Sequence, residues 1–108
     1  MAKNKNKDYN ILKVKQLENK NQFLIISDGF YYFQSYGSLV AVYDRNKKLL
    51  TVGCDYNYSR TTLKHLYIFI NSVCSYDYYS LIANKSNKRK AIENAIKTGL
   101  IKYDADMR

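Results

Sequence analysis

Three consecutive cations, Lys88, Arg89 and Lys90, stand at the predicted start of a helix. Positive charge is unfavourable there, because the amino-terminal end of a helix is already the positive end of its dipole. Unpaired backbone N–H groups, the hydroxyl of Ser86 and these cations are together suited to hold a phosphate. The sequence therefore indicates an anion site at this point, and the alternative is a solvated surface turn in a lysine-rich protein.

A second pair of cations, Arg60 and Lys64, lies four residues apart at the start of another predicted helix. Tyr56 and Tyr58 precede this pair, and Tyr78 belongs to a later tyrosine-rich segment. Basic side chains among exposed aromatic rings suit single-stranded nucleic acid, because bases stack on the rings while cations contact phosphates. Tyrosines are also ordinary residues of sheets and their rims. We predict that these five residues join the first cation group in binding nucleic acid or a partner.

Catalytic chemistry has little support in this sequence. His65 is the only histidine, and the hydroxyls that could serve it as nucleophiles, those of Ser59, Thr61 and Thr62, fall in a first helical turn, where hydroxyls normally cap backbone N–H groups. The sequence contains neither a Walker loop nor a GxGxxG motif. We therefore predict a protein that is not an enzyme and that has no catalytic residue and no cofactor.

The two cysteines, Cys54 and Cys74, are too few for a disulfide framework. Together with His65 they lack the short paired spacings of zinc modules, so no metal site is predicted. The sequence has no signal peptide and no apolar run of membrane-spanning length. Buried free thiols in a reducing cytoplasm are the expectation.

The charge of the chain is positive and unevenly distributed. Its 108 residues, enough for one domain, include 18 basic and 9 acidic side chains, which gives a formal net charge of +9. The middle of the chain, residues 21–58, is neutral, whereas the segments before and after it are basic. Such a balance favours negatively charged partners through long-range attraction and counterion release.

A central amphipathic helix is predicted from Ser59 to Cys74. Ser59 suits the N-cap position, because its side-chain oxygen can accept from a backbone N–H that the first turn leaves unpaired. Apolar side chains then recur at helical spacing, at Leu63, Leu66, Ile70 and Val73. Phe69 lies off this stripe, so more than one side of the helix should be covered.

The segments around the helix predict an α+β domain. Before it lies an antiparallel meander of about five strands, over residues 9–17, 23–26, 30–34, 39–43 and 49–54. Asp28-Gly29 predicts a tight hairpin, and Gly37 a bulge or bend within the sheet. A second, C-terminal helix should run from Ser86 to Thr98, with residues 100–103 forming a short edge strand or packing back. We expect a mobile basic arm at 1–7, a single domain at 8–103 and a frayed tail at 104–108.

Three segments together resemble a small domain of unknown function found in bacteriophages. They are Ser35-Tyr36-Gly37-Ser38-Leu39-Val40-Ala41, Tyr58-Ser59-Arg60-Thr61-Thr62-Leu63-Lys64-His65 and Arg89-Lys90-Ala91-Ile92-Glu93. The resemblance implies an origin in a mobile element and a place of action in the host cytoplasm. Small phage accessory proteins often bind a host or defence complex stoichiometrically, so it also implies an inhibitor of a nucleic-acid-guided defence effector, similar to an anti-CRISPR protein.

The leading prediction is thus a non-enzymatic binder of nucleic acid or of a host nucleoprotein effector, with no membrane partner. Two alternatives stay open. The protein could sequester a small anionic signalling nucleotide in a pocket of tyrosines and cations. It could instead be a structural module that forms homodimers or larger oligomers through a sheet edge or through the segment from Tyr76 to Tyr79.

Overall fold

The computed structural model describes residues 13–17, 20–74, 78 and 87–108. Within these residues six strands form one sheet and two helices pack on it, so the predicted α+β class is confirmed. In chain order the elements are β1 (Lys13–Gln16), β2 (Gln22–Ser27), β3 (Phe30–Ser35), β4 (Ser38–Asp44), β5 (Leu49–Gly53), α1 (Arg60–Val73), α2 (Lys88–Thr98) and β6 (Ile101–Asp104). The predicted arm at 1–7 lies outside the described residues.

Each strand of the sheet lies beside its neighbour in sequence, in the order β1-β2-β3-β4-β5-β6. The first five strands are antiparallel, whereas β6 pairs with β5 in parallel. A parallel pair requires a long crossover, and the segment that contains α1 and α2 supplies it. The sheet therefore has one strand more than the predicted meander, because residues 101–104 do form the edge strand.

Tight turns join the strands that surround the site described below. Gly29, with φ +81°, lies in the turn between β2 and β3, where the sequence predicts a hairpin. Tyr36 and Gly37 both have positive φ, 51° and 83°, and form the two-residue turn that suits the twist of paired strands. The sequence predicts only a bulge or bend at Gly37, whereas the chain reverses there. The shift of register lies instead between Phe33 and Gln34.

The predicted N-cap and bounds of the central helix are confirmed. The side-chain oxygen of Ser59 accepts a hydrogen bond from the backbone N–H of Thr62. The hydroxyl of Thr62 then contacts the sheet, at 2.9 Å from the hydroxyl of Ser35 at the end of β3. Two turns further on, Phe69 stacks on Phe33 with ring centroids 5.8 Å apart. These contacts fix α1 across the middle strands of the sheet.

The core lies between one face of the sheet and both helices. Side chains with almost no exposure come from every one of these elements and include Phe33, Val40, Leu50, Val52, Leu66, Phe69, Ile70, Ile92 and Ile101.

The β2 strand is predicted to be covered on both faces, but only Leu24 is a buried apolar residue there, and Phe23 and Ile25 on the opposite face are half-buried. At the sheet edge Val14 is 58% exposed, although its strand is predicted to have an apolar side.

The second helix begins at Lys88, two residues after the predicted start at Ser86. Its N-cap is Asn87, whose side-chain oxygen accepts from the backbone N–H of Lys90. It ends at Thr98, as predicted, and Gly99 takes the left-handed conformation with φ 86°. A Gly in this conformation is the commonest way to end a helix, since it avoids the penalty that a β-carbon incurs there.

The C-terminal residues, where the sequence predicts a frayed tail, lie beside β5 in the structure. Asp104 is the last residue of β6. The carbonyl of Met107 accepts a hydrogen bond from the backbone N–H of Cys54, and it lies where a β-carbon on Gly53 would be. The chain therefore needs Gly at position 53 to let its end pack beside β5.

Tyr78 is a core residue and not part of a binding surface, which corrects its predicted role. Its side chain is 2% exposed, and its ring meets that of Tyr43 edge-on. The hydroxyl accepts a hydrogen bond from the backbone N–H of Leu50 and donates one to the carbonyl of Leu100, both at 3.0 Å. It therefore bridges β5 and the residue before β6 at the point where the parallel pair begins.

We expect Tyr78→Phe to lower the free energy of unfolding by about 1–3 kcal/mol, because it leaves a buried N–H and a part-buried carbonyl without this partner. Chemical denaturation would measure the change. Tyr58→Phe is the matched control, since Tyr58 is 70% exposed and the same substitution there should stay within about 0.5 kcal/mol. Equal stability of the two variants would contradict a bridging role for the Tyr78 hydroxyl.

Candidate nucleic-acid interface

The cations of α1 lie along one side of that helix. Arg60 and Lys64 are both exposed and are four residues apart, and Tyr67 and Asn71 continue the same stripe at helical spacing. Side chains on a helix lean towards its amino-terminal end, so the tip of Tyr67 lies near the level of the preceding turn, which carries Lys64. The stripe thus leads from the start of α1 to the ring of Tyr67.

Tyr67 joins this stripe to the start of α2. Its hydroxyl donates a hydrogen bond of 2.7 Å to the backbone carbonyl of Lys88, and the Nζ atom of Lys88 lies 5.4 Å from the centre of its ring. Burial raises the pKa of Tyr67 to about 12, so the hydroxyl stays protonated and keeps donating at neutral pH. The contact brings together two cation groups that are far apart in sequence. We call Arg60, Lys64, Lys88, Arg89 and Lys90 the basic surface.

The first turn of α2 consists of Lys88, Arg89 and Lys90, and it contains no acidic residue. Arg89 and Lys90 are exposed, and Lys88 is half-buried over the ring of Tyr67. The backbone part of the predicted anion site is partly occupied, because the side chain of Asn87 already accepts from the N–H of Lys90. Ser86, the other predicted component, lies outside the described residues. Any phosphate at this end of α2 would therefore depend mainly on the cationic side chains.

Two exposed tyrosines form a pair beside the start of α1. Tyr58 is 70% exposed and Tyr36 47% exposed, and their ring centroids are 6.1 Å apart. Tyr58 is among the predicted site residues, but Tyr36 is not, since the pair forms only when the β3–β4 turn meets the segment before α1. The Tyr-Gly pair at a hairpin tip is the signal that could have identified it, because turn residues project from the sheet.

Tyr56 is placed differently from its predicted role as an exposed ring. It is 8% exposed and packs edge-on against Tyr103, which is itself 43% exposed. Burial raises the pKa of the Tyr56 hydroxyl, and the neighbouring charge of Glu93 raises it further, while Arg89 opposes both. Tyr56 therefore lies near the first two turns of α2, where it lines a shallow groove but offers no free face for stacking.

His65 is a buried residue with a structural contact. Its Nδ1 atom lies 2.9 Å from the carbonyl of Thr61, and since a carbonyl can only accept, Nδ1 carries the hydrogen. The other nitrogen, Nε2, is buried and has no hydrogen-bond partner among the described residues. The hydroxyl of Thr62 contacts Ser35 and Ser59 instead. The part of the chain that the structure describes thus contains no hydrogen bond between His65 and a hydroxyl nucleophile.

The cysteines do not combine with His65 into a metal site. In the described ranges no three residues of the types His, Cys, Asp and Glu are grouped closely enough to hold an ion. Burial raises the pKa of the Cys74 thiol to about 12. Since the thiolate is the reactive form, Cys74 is poorly suited to act as a nucleophile near neutral pH.

We expect Cys74 to react slowly with a thiol reagent in a Cys54→Ser variant. At pH values below its raised pKa the thiol stays protonated, so its alkylation should be at least about tenfold slower than that of a small free thiol with an ordinary pKa. Mass spectrometry of timed samples would measure the rate, which should keep rising up to about pH 11. A rate that levels off near pH 9 in the folded protein would contradict the assignment.

Comparison with known proteins identifies the family of the chain and nothing more specific. The chain belongs to a family of unknown function (DUF8033), whose model matches residues 4–94. Neither comparison with curated proteins nor comparison with solved structures gives a match. Neither described helix has the length and apolarity needed to cross a membrane.

Proposed function

We propose that this protein is a non-enzymatic binder of single-stranded nucleic acid, which it holds by its phosphate backbone across the basic surface. The observation that carries the proposal is the contact of Tyr67 with Lys88, which connects the side of α1 that carries Arg60 and Lys64 to the cationic first turn of α2. Tyr36 and Tyr58, beside Arg60, add rings on which bases can stack. Cations that follow a backbone next to aromatic rings are the usual arrangement for such ligands.

The charges of the first turn of α2 support a ligand because the helix itself gains nothing from them. Lys88, Arg89 and Lys90 oppose the helix dipole at a cost of roughly 0.3–1 kcal/mol each at an exposed site. A polyanion would reverse the sign of that contribution and would release its counterions on binding. The net charge of +9 attracts the same class of ligand over a longer range.

The resemblance to a phage domain extends this proposal to a nucleoprotein. In that form the basic surface would cover a nucleic-acid path on a host defence effector and block it stoichiometrically. The same five cations would then face either phosphates or acidic side chains. Free nucleic acid is the simpler of the two ligands.

Both alternative functions have less support from the described residues. A groove of about 320 Å³ at Tyr56 and Tyr103 carries one cation, Lys97, and one carboxylate, Glu93, which is a poor set for an anionic nucleotide. For an oligomer through the sheet edge, β1 presents Lys13 and Lys15, and charges of this kind discourage edge pairing. The Tyr76–Tyr79 segment lies outside the described residues except for Tyr78, which is buried.

We expect the triple variant Lys88→Glu, Arg89→Glu and Lys90→Glu to bind single-stranded oligonucleotides at least about tenfold more weakly than the unmodified protein, because it loses roughly three contacts with phosphates. Fluorescence anisotropy across a salt series would measure this. The slope of log affinity against log salt should become less steep by about 2, because each contact contributes about 0.7 for a single strand.

The matched control is a triple reversal at Lys13, Lys15 and Lys47, which changes the net charge equally but lies on β1 and the β4–β5 loop. It should retain most of the affinity. Unfolding should not explain a loss in the α2 variant, since acidic residues in a first helical turn stabilise it. If both triple variants lose affinity equally, binding depends on net charge alone and the basic surface is not the site.

A further inference from the structure

A small polar pocket lies under the Tyr36–Tyr58 pair and has no role in the binding of phosphates. Its volume is about 140 Å³. It is enclosed by the β3–β4 turn, the segment before α1 and the first turn of α1, and its lining residues are Ser35, Tyr36, Ser38, Val40, Asp55, Tyr58 and Thr62. Its lining thus combines two tyrosines, three residues with aliphatic hydroxyls, one acidic residue and the apolar Val40.

The size of the pocket limits its occupant to about one ring. Cavities of about 150 Å³ in other proteins bind benzene, whereas most pockets for larger ligands exceed about 300 Å³. A whole nucleotide would not fit, but one flat ring could enter between the hydroxyls while Tyr36 and Tyr58 cover it. Stacking of a base on an aromatic side chain is the usual way in which single strands are held.

The polar groups of the pocket favour a hydrogen-bond donor on that ring. The carboxylate of Asp55 can only accept, and among the described residues its side chain has only a weak contact of 3.7 Å with the Cys54 thiol. A carboxylate that accepts from the amino group at position 4 is a standard way to recognise cytosine. Uracil and thymine carry a carbonyl oxygen at that position, which the carboxylate would repel.

A buried amide without hydrogen-bond partners in the described part of the chain lies on the strand next to the pocket, behind its lining residue Ser35. Gln22 lies directly opposite Ser35 in the β2–β3 pair, so their β-carbons are about 5 Å apart on the same face of the sheet. Gln22 is fully buried, and neither atom of its side-chain amide has a hydrogen-bond partner among the described residues. A buried amide without partners is costly.

We propose that this pocket holds one unstacked cytosine of a single strand, with its amino group on Asp55 and its ring covered by Tyr36 and Tyr58. The inference rests on the proposed function and adds a base preference to it. Arg60 is placed to hold the adjoining phosphate, because it is exposed at the first position of α1, two residues after Tyr58. The cations of the basic surface would then continue along the strand.

The first test compares oligo(dC) with oligo(dT) of the same length by fluorescence anisotropy, at slightly alkaline pH, where oligo(dC) stays single-stranded. We expect the protein to prefer oligo(dC) by at least about fivefold, the low end of what one good base contact provides. In Asp55→Asn the preference should disappear, mainly through tighter binding of oligo(dT), because an amide can donate to the thymine carbonyl as well as accept. Equal affinities in the unmodified protein, or an unchanged preference in Asp55→Asn, would overturn the proposal.

A second test uses cytidine and uridine, which carry no phosphate. Cytidine should shift the backbone amide signals of Ser38, Asp55 and Tyr58 in NMR spectra, and uridine should shift them at least about fivefold less at equal concentration. Tyr58→Ala should weaken the signal shifts that cytidine causes and leave the rest of the spectrum unchanged. This variant tests the pocket even if Asp55→Asn fails to fold. Guanosine or adenosine acting as strongly as cytidine would contradict the limit set by the pocket volume.

The two tests separate this inference from the proposed function. The Lys88, Arg89 and Lys90 triple variant should still respond to cytidine, because the nucleoside has no phosphate for the basic surface to bind. Cytidine binding without any affinity for oligonucleotides would overturn the proposed function and support the pocket. Salt-dependent binding of all oligonucleotides without a cytidine response would support the function and overturn the pocket.

Discussion

The position of α1 on the sheet depends on a hydroxyl contact that is fully enclosed. Thr62 is completely buried, and its hydroxyl lies 2.9 Å from that of Ser35 and 3.1 Å from that of Ser59. Because each buried hydroxyl needs a partner, the helix cannot slide along the sheet without leaving one of them unpaired. The same contact belongs to the lining of the pocket, and Tyr67 contacts α2 from a position about one and a half turns further along α1. Fold and site therefore share one constraint.

The start of α2 shows how unfavourable charges can be kept in place. Asn87 caps the helix in spite of the three cations that follow, and Tyr67 holds Lys88 through both its ring and its hydroxyl. A cation over an aromatic face gains roughly 0.5–1 kcal/mol at an exposed site, which is similar to the penalty from the helix dipole. Packing against α1 thus offsets the local cost of Lys88 alone, whereas Arg89 and Lys90 are exposed at the same helix end.

The parts of the fold that sequence reasoning predicted well depend on local chemistry. Ser59 and Gly99 act on backbone groups only a few residues away, so the start of α1 and the end of α2 could be predicted. The sixth strand was left open because its pairing with β5 depends on a crossover through both helices. Tyr78 was assigned to the surface because a tyrosine among polar residues has the same sequence signature whether its hydroxyl meets water or the backbone of Leu50. The pairing of Tyr36 with Tyr58 likewise depends on two segments that meet only in the folded chain.

The single carboxylate of the pocket separates affinity from specificity. Cations that contact phosphates raise the affinity for every sequence alike, so a surface made of them alone cannot discriminate between bases. In the proposed site Asp55 would have the opposite effect, because a negative charge near a phosphate path lowers affinity in general and is tolerated only when a base supplies a donor to it. A basic surface binds phosphates tightly enough to tolerate some loss of affinity. One acidic residue beside such a surface can therefore impose a choice of base. The same reasoning predicts that neutralising Asp55 strengthens binding to the disfavoured base more than it weakens binding to the favoured one.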